Sequence, residues 1–183
     1  MILTFIDTET TGLEIKEHEI LQFGFKRIEL TASNFYEMEQ GQFNIKPLHI
    51  ETASEYALKL NNYNKDAYAI DGRDASSLIK QIILSSDLLV GQRTIFDLKF
   101  IKKLLNQNKF KIFFPKYLDT KQMAVDAGES ETSLDKLCKK YDIKFKGQAH
   151  TALADCERCY GAFKILLERS IPQTFTFNNP YHQ

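Results

Sequence analysis

The chain opens on Ile2 to Ile6, a run rich in β-branched and aromatic residues as a buried strand requires, and the polar residues that follow begin at Asp7. Glu19 to Leu30 and Phe35 to Ile45 again alternate or cluster apolar residues, and they flank the turn signal Thr31-Ala-Ser-Asn34. Three strands in an antiparallel meander are therefore expected first. Lys46 to Arg73 is less regular, with a short helix expected over Ser54 to Leu60. Asp74 reads as the N-cap of a helix through about Ser86, because Leu78, Ile82 and Ile83 recur at helical spacing.

Strand and helix then alternate. Asp87 to Gly91 suits a short buried strand, and Thr94 to Asn106 a helix carrying Phe96, Phe100, Ile101, Leu104 and Leu105. Ile112 to Leu118 reads as a further strand interrupted by Pro115, with Asp119-Thr120 starting a helix through Ala127. Ser133 caps a helix to about Tyr141 and Thr151 a long one to about Arg169. Early strands followed by this alternation predict an α/β domain with a mixed sheet flanked by helices, over residues 1–170. Residues 171–183, with two prolines and two asparagines and no periodicity, are expected to form a loosely ordered tail.

Composition narrows the function classes. The 183 residues fit one domain that buries about two-thirds of its unfolded surface. Lys+Arg and Asp+Glu both number 24, and the pI near 6.9 excludes a globally basic nucleic-acid-binding surface, which would call for a value above about 9. Any such binding must be local or assisted by metal. The odd set Cys138, Cys156 and Cys159 is read as reduced thiols of a cytoplasmic protein. Cys156 and Cys159 form a C-x-x-C inside a helical pattern, without a second pair to complete a zinc tetrahedron. No apolar run reaches the ~18 residues of a membrane span, so no membrane partner is expected.

The candidate chemistry lies in acids at element ends. Asp7 and Glu9 point to one face if the first strand continues past Ile6, although two acids ahead of Gly12 also suit a solvated turn. Asp97 falls in the first turn of a helix directly after a strand, the edge at which ligands of α/β sheets bind. Its alternative role is to close a capping box with Thr94. His150 precedes the last helix and Asp155 sits in its first turns, where an acid also suits the helix dipole. His18, His49 and His182 are assigned as ordinary exposed residues.

Taken together, Ile6-Asp-Thr-Glu-Thr-Thr-Gly-Leu13, Val90 to Phe100 with Asp97, and His150-Thr-Ala-Leu-Ala-Asp155 resemble the three motifs of the DEDDh branch of the DnaQ-like 3′-to-5′ exonucleases. Asp119-Thr120, Lys46-Pro47 and Leu60-Asn61-Asn62 also resemble recurrent family positions, and the likeness covers roughly Ile2 to Leu167. One departure stands out: Gly91-Gln92-Arg93 replaces the common Gly-His-Asn.

The resemblance implies an RNase H-like fold and release of nucleoside 5′-monophosphates from the 3′ end of single-stranded or frayed nucleic acid, DNA favoured over RNA. It implies two divalent cations, Mg²⁺ or Mn²⁺, held by Asp7, Glu9, Asp97 and Asp155, with His150 as general base. All five residues are thus the expected catalytic set. Hard ions prefer oxygen ligands, which suits a cluster of carboxylates without cysteine. The strand end is expected at Thr10, Gly12 and Leu13, with Arg93 offering a phosphate contact. A polymerase or a second copy of the chain are further partners the resemblance implies, in DNA replication or repair. Five lysines against two aspartates between Asp135 and Lys146 give a local net of +3, either a track for an incoming strand or a solvated helix face. The competing reading is a catalytically silent domain of the same fold that binds nucleic acid or a polymerase.

Overall fold

The first strand continues past Ile6, where continuous burial gives way to alternation. A computed structural model describes residues 1–169 and extends β1 over Ile2–Thr10, so that Asp7 and Glu9 lie within the strand rather than in a turn. β2, Ile20–Leu30, pairs antiparallel with β1, and β3, Phe35–Asn44, pairs antiparallel with β2. The meander is as expected. β4, Leu88–Gly91, and β5, Lys116–Asp119, add parallel strands, giving a five-stranded sheet in the order β3-β2-β1-β4-β5. This is the α/β mixed sheet of an RNase H-like fold.

Among the described residues six α-helices accompany the sheet: α1, Glu55–Leu60; α2, Gly72–Leu84; α3, Thr94–Gln107; α4, Thr120–Asp126; α5, Leu134–Lys140; and α6, Ala152–Arg169. Each face has its own core. Leu3, Phe5, Val90 and Leu118 pack with Leu137, Cys156, Tyr160 and Phe163 on the α5 and α6 side. Ile6, Phe23 and Leu89 pack with Ile79, Ile83, Leu98 and Phe100 on the α2 and α3 side. Phe5 meets Tyr160 and Phe163 edge-on at 5.2 and 5.4 Å between ring centroids, which docks α6 against the middle of β1.

Four local expectations are corrected. The cap of α2 is Asp71, not Asp74; Asp71 Oδ1 accepts from the N–H groups of Arg73 and Asp74, leaving Asp74 in the first turn. Residues 112–115 stay outside the sheet, because Pro115 has no N–H to give a ladder, and β5 starts only at Lys116. Thr94 and Asp97 form no capping box, since the Thr94 hydroxyl donates to Leu118 O and the Asp97 carboxylate accepts from Thr8. Ser133 begins α5 without a side-chain cap bond. The free cysteines Cys138, Cys156 and Cys159 are all buried, the last two within α6. No helix among the described residues is long and apolar enough to cross a membrane. The expected tail and His182 lie outside the described residues.

Candidate metal and catalytic site

Alternation along β1 places Asp7 and Glu9 on the α6 side, the side of Leu3 and Phe5, while Thr8 points to the α3 side. α6 brings Asp155 to the same place. The contact requires Gly24, which pairs with Asp7 across the β1–β2 ladder, because a Cβ there would lie 2.3 Å from the backbone of Ala152. Gln22, paired with Glu9, fixes the helix start by accepting at Oε1 from the Ala152 N–H, and Gln42 on β3 accepts from the Leu153 N–H. As a result, one carboxylate oxygen from each of Asp7, Glu9 and Asp155 lies within 4.8 Å of the others.

Asp97 approaches from the α3 side. Its Oδ1 accepts from the Thr8 N–H at 2.9 Å and the Thr8 hydroxyl at 2.7 Å, which pins it to the strand residue between Asp7 and Glu9. Burial, then the charges of Asp97, Asp155 and Glu9, hold the Asp7 carboxyl well above its usual range, with Arg158 opposing them. Burial also pushes Glu9 up to about 7, with Asp155 and Asp97 adding repulsion. It likewise raises Asp97 to about 7 against the Thr8 hydrogen bonds. Asp7 Oδ2 is enclosed without a hydrogen-bond partner.

An orphaned buried oxygen amid mutually repelling acids is what a site built for a cation looks like from the protein side. The donors are carboxylate oxygens, which fit hard divalent ions. No lysine or arginine among the described residues hydrogen-bonds these four acids except Arg158, bound to Asp155 Oδ1 at 2.6 Å. Sequence reasoning missed Arg158; its only trace was an arginine three residues after an acid on a helix.

His150 lies in the segment immediately before α6, half-buried, with a left-handed backbone at φ 64°. It sits outside the three-acid group. Beyond β1, the backbone shifts register between Glu9 and Thr10 and turns into a loop. The Thr10 hydroxyl donates to Gly12 O, Asn61 Nδ2 donates to Thr10 O, and Leu13 projects 77% exposed. At Gly12 a Cβ would lie 2.5 Å from the imidazole of His18, whose Nδ1 accepts from the Glu14 N–H. His18 is thus a support for this loop, not the plain exposed residue expected.

The Gln92-Arg93 departure is absorbed by the fold. Gln92 donates to Thr132 O and accepts from the Thr120 hydroxyl, tying β4 to the start of α4. Arg93 has left-handed backbone at φ 63° and donates its N–H to Asp119 Oδ1. Asparagine, the residue the resemblance leads one to expect here, tolerates that conformation better than most residues with a side chain. The Arg93 side chain is exposed, with no polar partner among the described residues.

The mixed sheet and its carboxylate cluster define the class as an RNase H-like nuclease domain. Residues 4–163 match the RNase_T family, described as Exonuclease, and the chain belongs to that family. No curated protein sequence matches the chain. Among solved structures, Escherichia coli exonuclease I in complex with a dA16 oligonucleotide is 19% identical with a TM-score of 0.78, over 93% of this chain and 42% of that one. The chain thus spans less than half the length of exonuclease I. Exonuclease X in complex with 5′-overhanging duplex DNA is 15% identical with a TM-score of 0.65, over 95% of this chain and 94% of that one. Cell-death related nuclease 4 is 19% identical with a TM-score of 0.69, over 96% of this chain and 65% of that one. These likenesses are of fold.

Proposed function

We propose that residues 1–170 form a metal-dependent 3′-to-5′ exonuclease domain acting on single-stranded or frayed ends, DNA before RNA, in a cytoplasmic setting consistent with its buried free thiols. The observation that carries this reading is the convergence of Asp7, Glu9 and Asp155 around an unpartnered Asp7 Oδ2. Family membership and the DNA and oligonucleotide complexes of its structural relatives support the substrate class.

In this reading Asp7, Glu9 and Asp155 would hold one cation, and Asp7 with Asp97 a second. Bound divalent ions would supply charge neutralisation at the phosphoryl oxygens and an acidified water at neutral pH. His150, on the loop leading into α6, takes the proton of the attacking water, a task imidazole suits near neutrality. Leu13 wedges against the terminal base, and the Thr10 backbone receives the 3′ hydroxyl. Gly12 lets the strand approach that backbone, and Arg93 reaches a phosphate from the start of α3.

The test is a gel assay on 5′-labelled single-stranded DNA, RNA and duplexes, with Mg²⁺, Mn²⁺ or chelator, comparing wild type with Asp7→Ala and His150→Ala. Ladders that shorten from the 3′ end only with metal, and only in the wild type, are expected. Intact substrate under every condition overturns the proposal in favour of a silent binding module.

A further inference from the structure

Arg158 lies one helical turn after Asp155 on α6, yet its side chain is only 4% exposed, unlike an ordinary surface partner. Its Nη1 donates to Asp155 Oδ1 at 2.6 Å and its Nη2 donates to Asp135 Oδ1 on α5. The guanidinium lies 5.2 Å from the centre of the Phe145 ring, and its Nε is buried without a partner. A cation held this deeply beside four acids has two possible effects of opposite sign on metal. As a plain counter-charge it repels an incoming cation. As a fork fixed at both tines, it prevents the Asp155 carboxylate from rotating and occupies Oδ1, leaving Oδ2 free of that bond beside Asp7 and Glu9.

The geometry points to the second: we propose that Arg158 is a positioning residue that presents Asp155 as a single-oxygen metal ligand and links that ligand, through Asp135, to α5. This rests on the reading of Asp155 as a ligand. The built features favour it. Arg158 is clamped by the Phe145 ring and by two carboxylates from different helices, an investment that charge neutralisation alone does not need. Partners that orient metal ligands typically change metal affinity by about 10- to 100-fold when removed.

The experiment titrates Mn²⁺ into the chain, without substrate, by calorimetry and by thermal shift, for the wild type, Arg158→Met, Arg158→Lys and Asp135→Asn. Arg158→Met keeps the aliphatic bulk and is expected to raise the half-saturating Mn²⁺ concentration by about tenfold or more. Arg158→Lys, which reaches one carboxylate, is expected to fall between. Asp135→Asn, at a site 64% exposed, leaves the fold intact and is expected to shift in the same direction by a smaller factor. In steady-state assays at saturating metal, kcat falls while KM for the oligonucleotide stays unchanged. Unaltered or tighter Mn²⁺ binding by the folded Arg158 or Asp135 variants overturns the positioning role alone. A wild type that binds no Mn²⁺ overturns it together with the metal-site reading.

Discussion

Gly24 lies opposite Asp7 across the β1–β2 ladder, and the volume its side chain would need is taken by the backbone of Ala152 at the start of α6. The approach that brings Asp155 to Asp7 therefore depends on a missing methyl group. Gly24→Ala is expected to push α6 off the sheet at its functional end, at an overpacking cost of about 1–3 kcal/mol. It should also abolish the rise in melting temperature produced by Mg²⁺ or Mn²⁺. Gly161→Ala is the control, since its Cβ would meet Ile143 Cγ2 at 2.4 Å, away from the acids. That variant should lose stability and keep its metal response. Thermal melts with and without metal distinguish the two; a preserved metal response in Gly24→Ala contradicts the argument.

The raised carboxylates set a pH dependence whose sign can be stated. Glu9 moves from 4.5 to about 7 and Asp97 from 3.8 to about 7, with Asp7 also displaced upward. The folded state then binds these protons more tightly than the unfolded state, so their stabilising contribution is full below the ordinary carboxylate range and is lost as pH rises to about 7. Glu129, lowered mainly by its hydrogen bonds from Lys140 and Tyr141, contributes in the opposite direction. A difference measurement isolates the cluster. With chelator present, the melting temperature of Glu9→Gln minus that of wild type is expected to grow from pH ~4.5 to ~7 and then level off. Saturating Mg²⁺ should reverse its sign at neutral pH, where the ionised acids hold the metal.

His150 and Asp7 are expected to fail differently. Asp7→Ala removes a shared ligand, so both the metal-induced stabilisation and the activity should disappear. His150 stands outside the three-acid group. Its replacement by alanine should lower kcat by about 10²- to 10⁴-fold while leaving the metal-induced shift in place. Loss of that shift in His150→Ala would make the histidine part of the metal site rather than a proton acceptor.

Leu13 offers a separation of binding from stability. At 77% exposure its truncation to alanine should change stability by no more than about 0.5 kcal/mol. If the side chain wedges against the terminal base, KM should rise while the metal response stays intact. An unchanged KM leaves Leu13 as an ordinary exposed residue of the loop.

Much of this arrangement was legible in the chain because it is local. The meander follows from period-two runs around Thr31 to Asn34, and the acids fall at strand and helix ends that the apolar pattern marks. Asp71 was missed as a cap because the residue after it, Gly72, is a poor helix former, yet Gly72 is the first residue of α2. Residues 112–115 look like a strand by composition, but Pro115 denies them the ladder. Gly24 and Arg158 were illegible for another reason. Their roles exist only once α6 lies on β2 and against α5, and no pattern within either segment carries that information.

The lysines around α5 supply the last test. Lys140 pairs with Glu129, Lys136 with Glu131 and Lys144 with Asp142, so three of the five cations counted in the sequence are committed to neighbouring acids. Lys139 and Lys146 are exposed and have no ion pair among the described residues. The Lys146 N–H donates to Glu157 on α6, which places this residue on the segment that leads to His150. If the region guides a single strand, these two lysines do the work, each phosphate contact contributing a slope of about 0.7 in log K against log salt. Lys139→Ala with Lys146→Ala is therefore expected to weaken binding of a single-stranded oligonucleotide and to flatten its salt dependence by up to about 1.4. The complementary double variant, Lys136→Ala with Lys144→Ala, should leave the slope nearly unchanged because those charges are already paired. Fluorescence anisotropy at several salt concentrations, with chelator to prevent cleavage, measures both; equal slopes in all three proteins would make the whole cluster a solvated face.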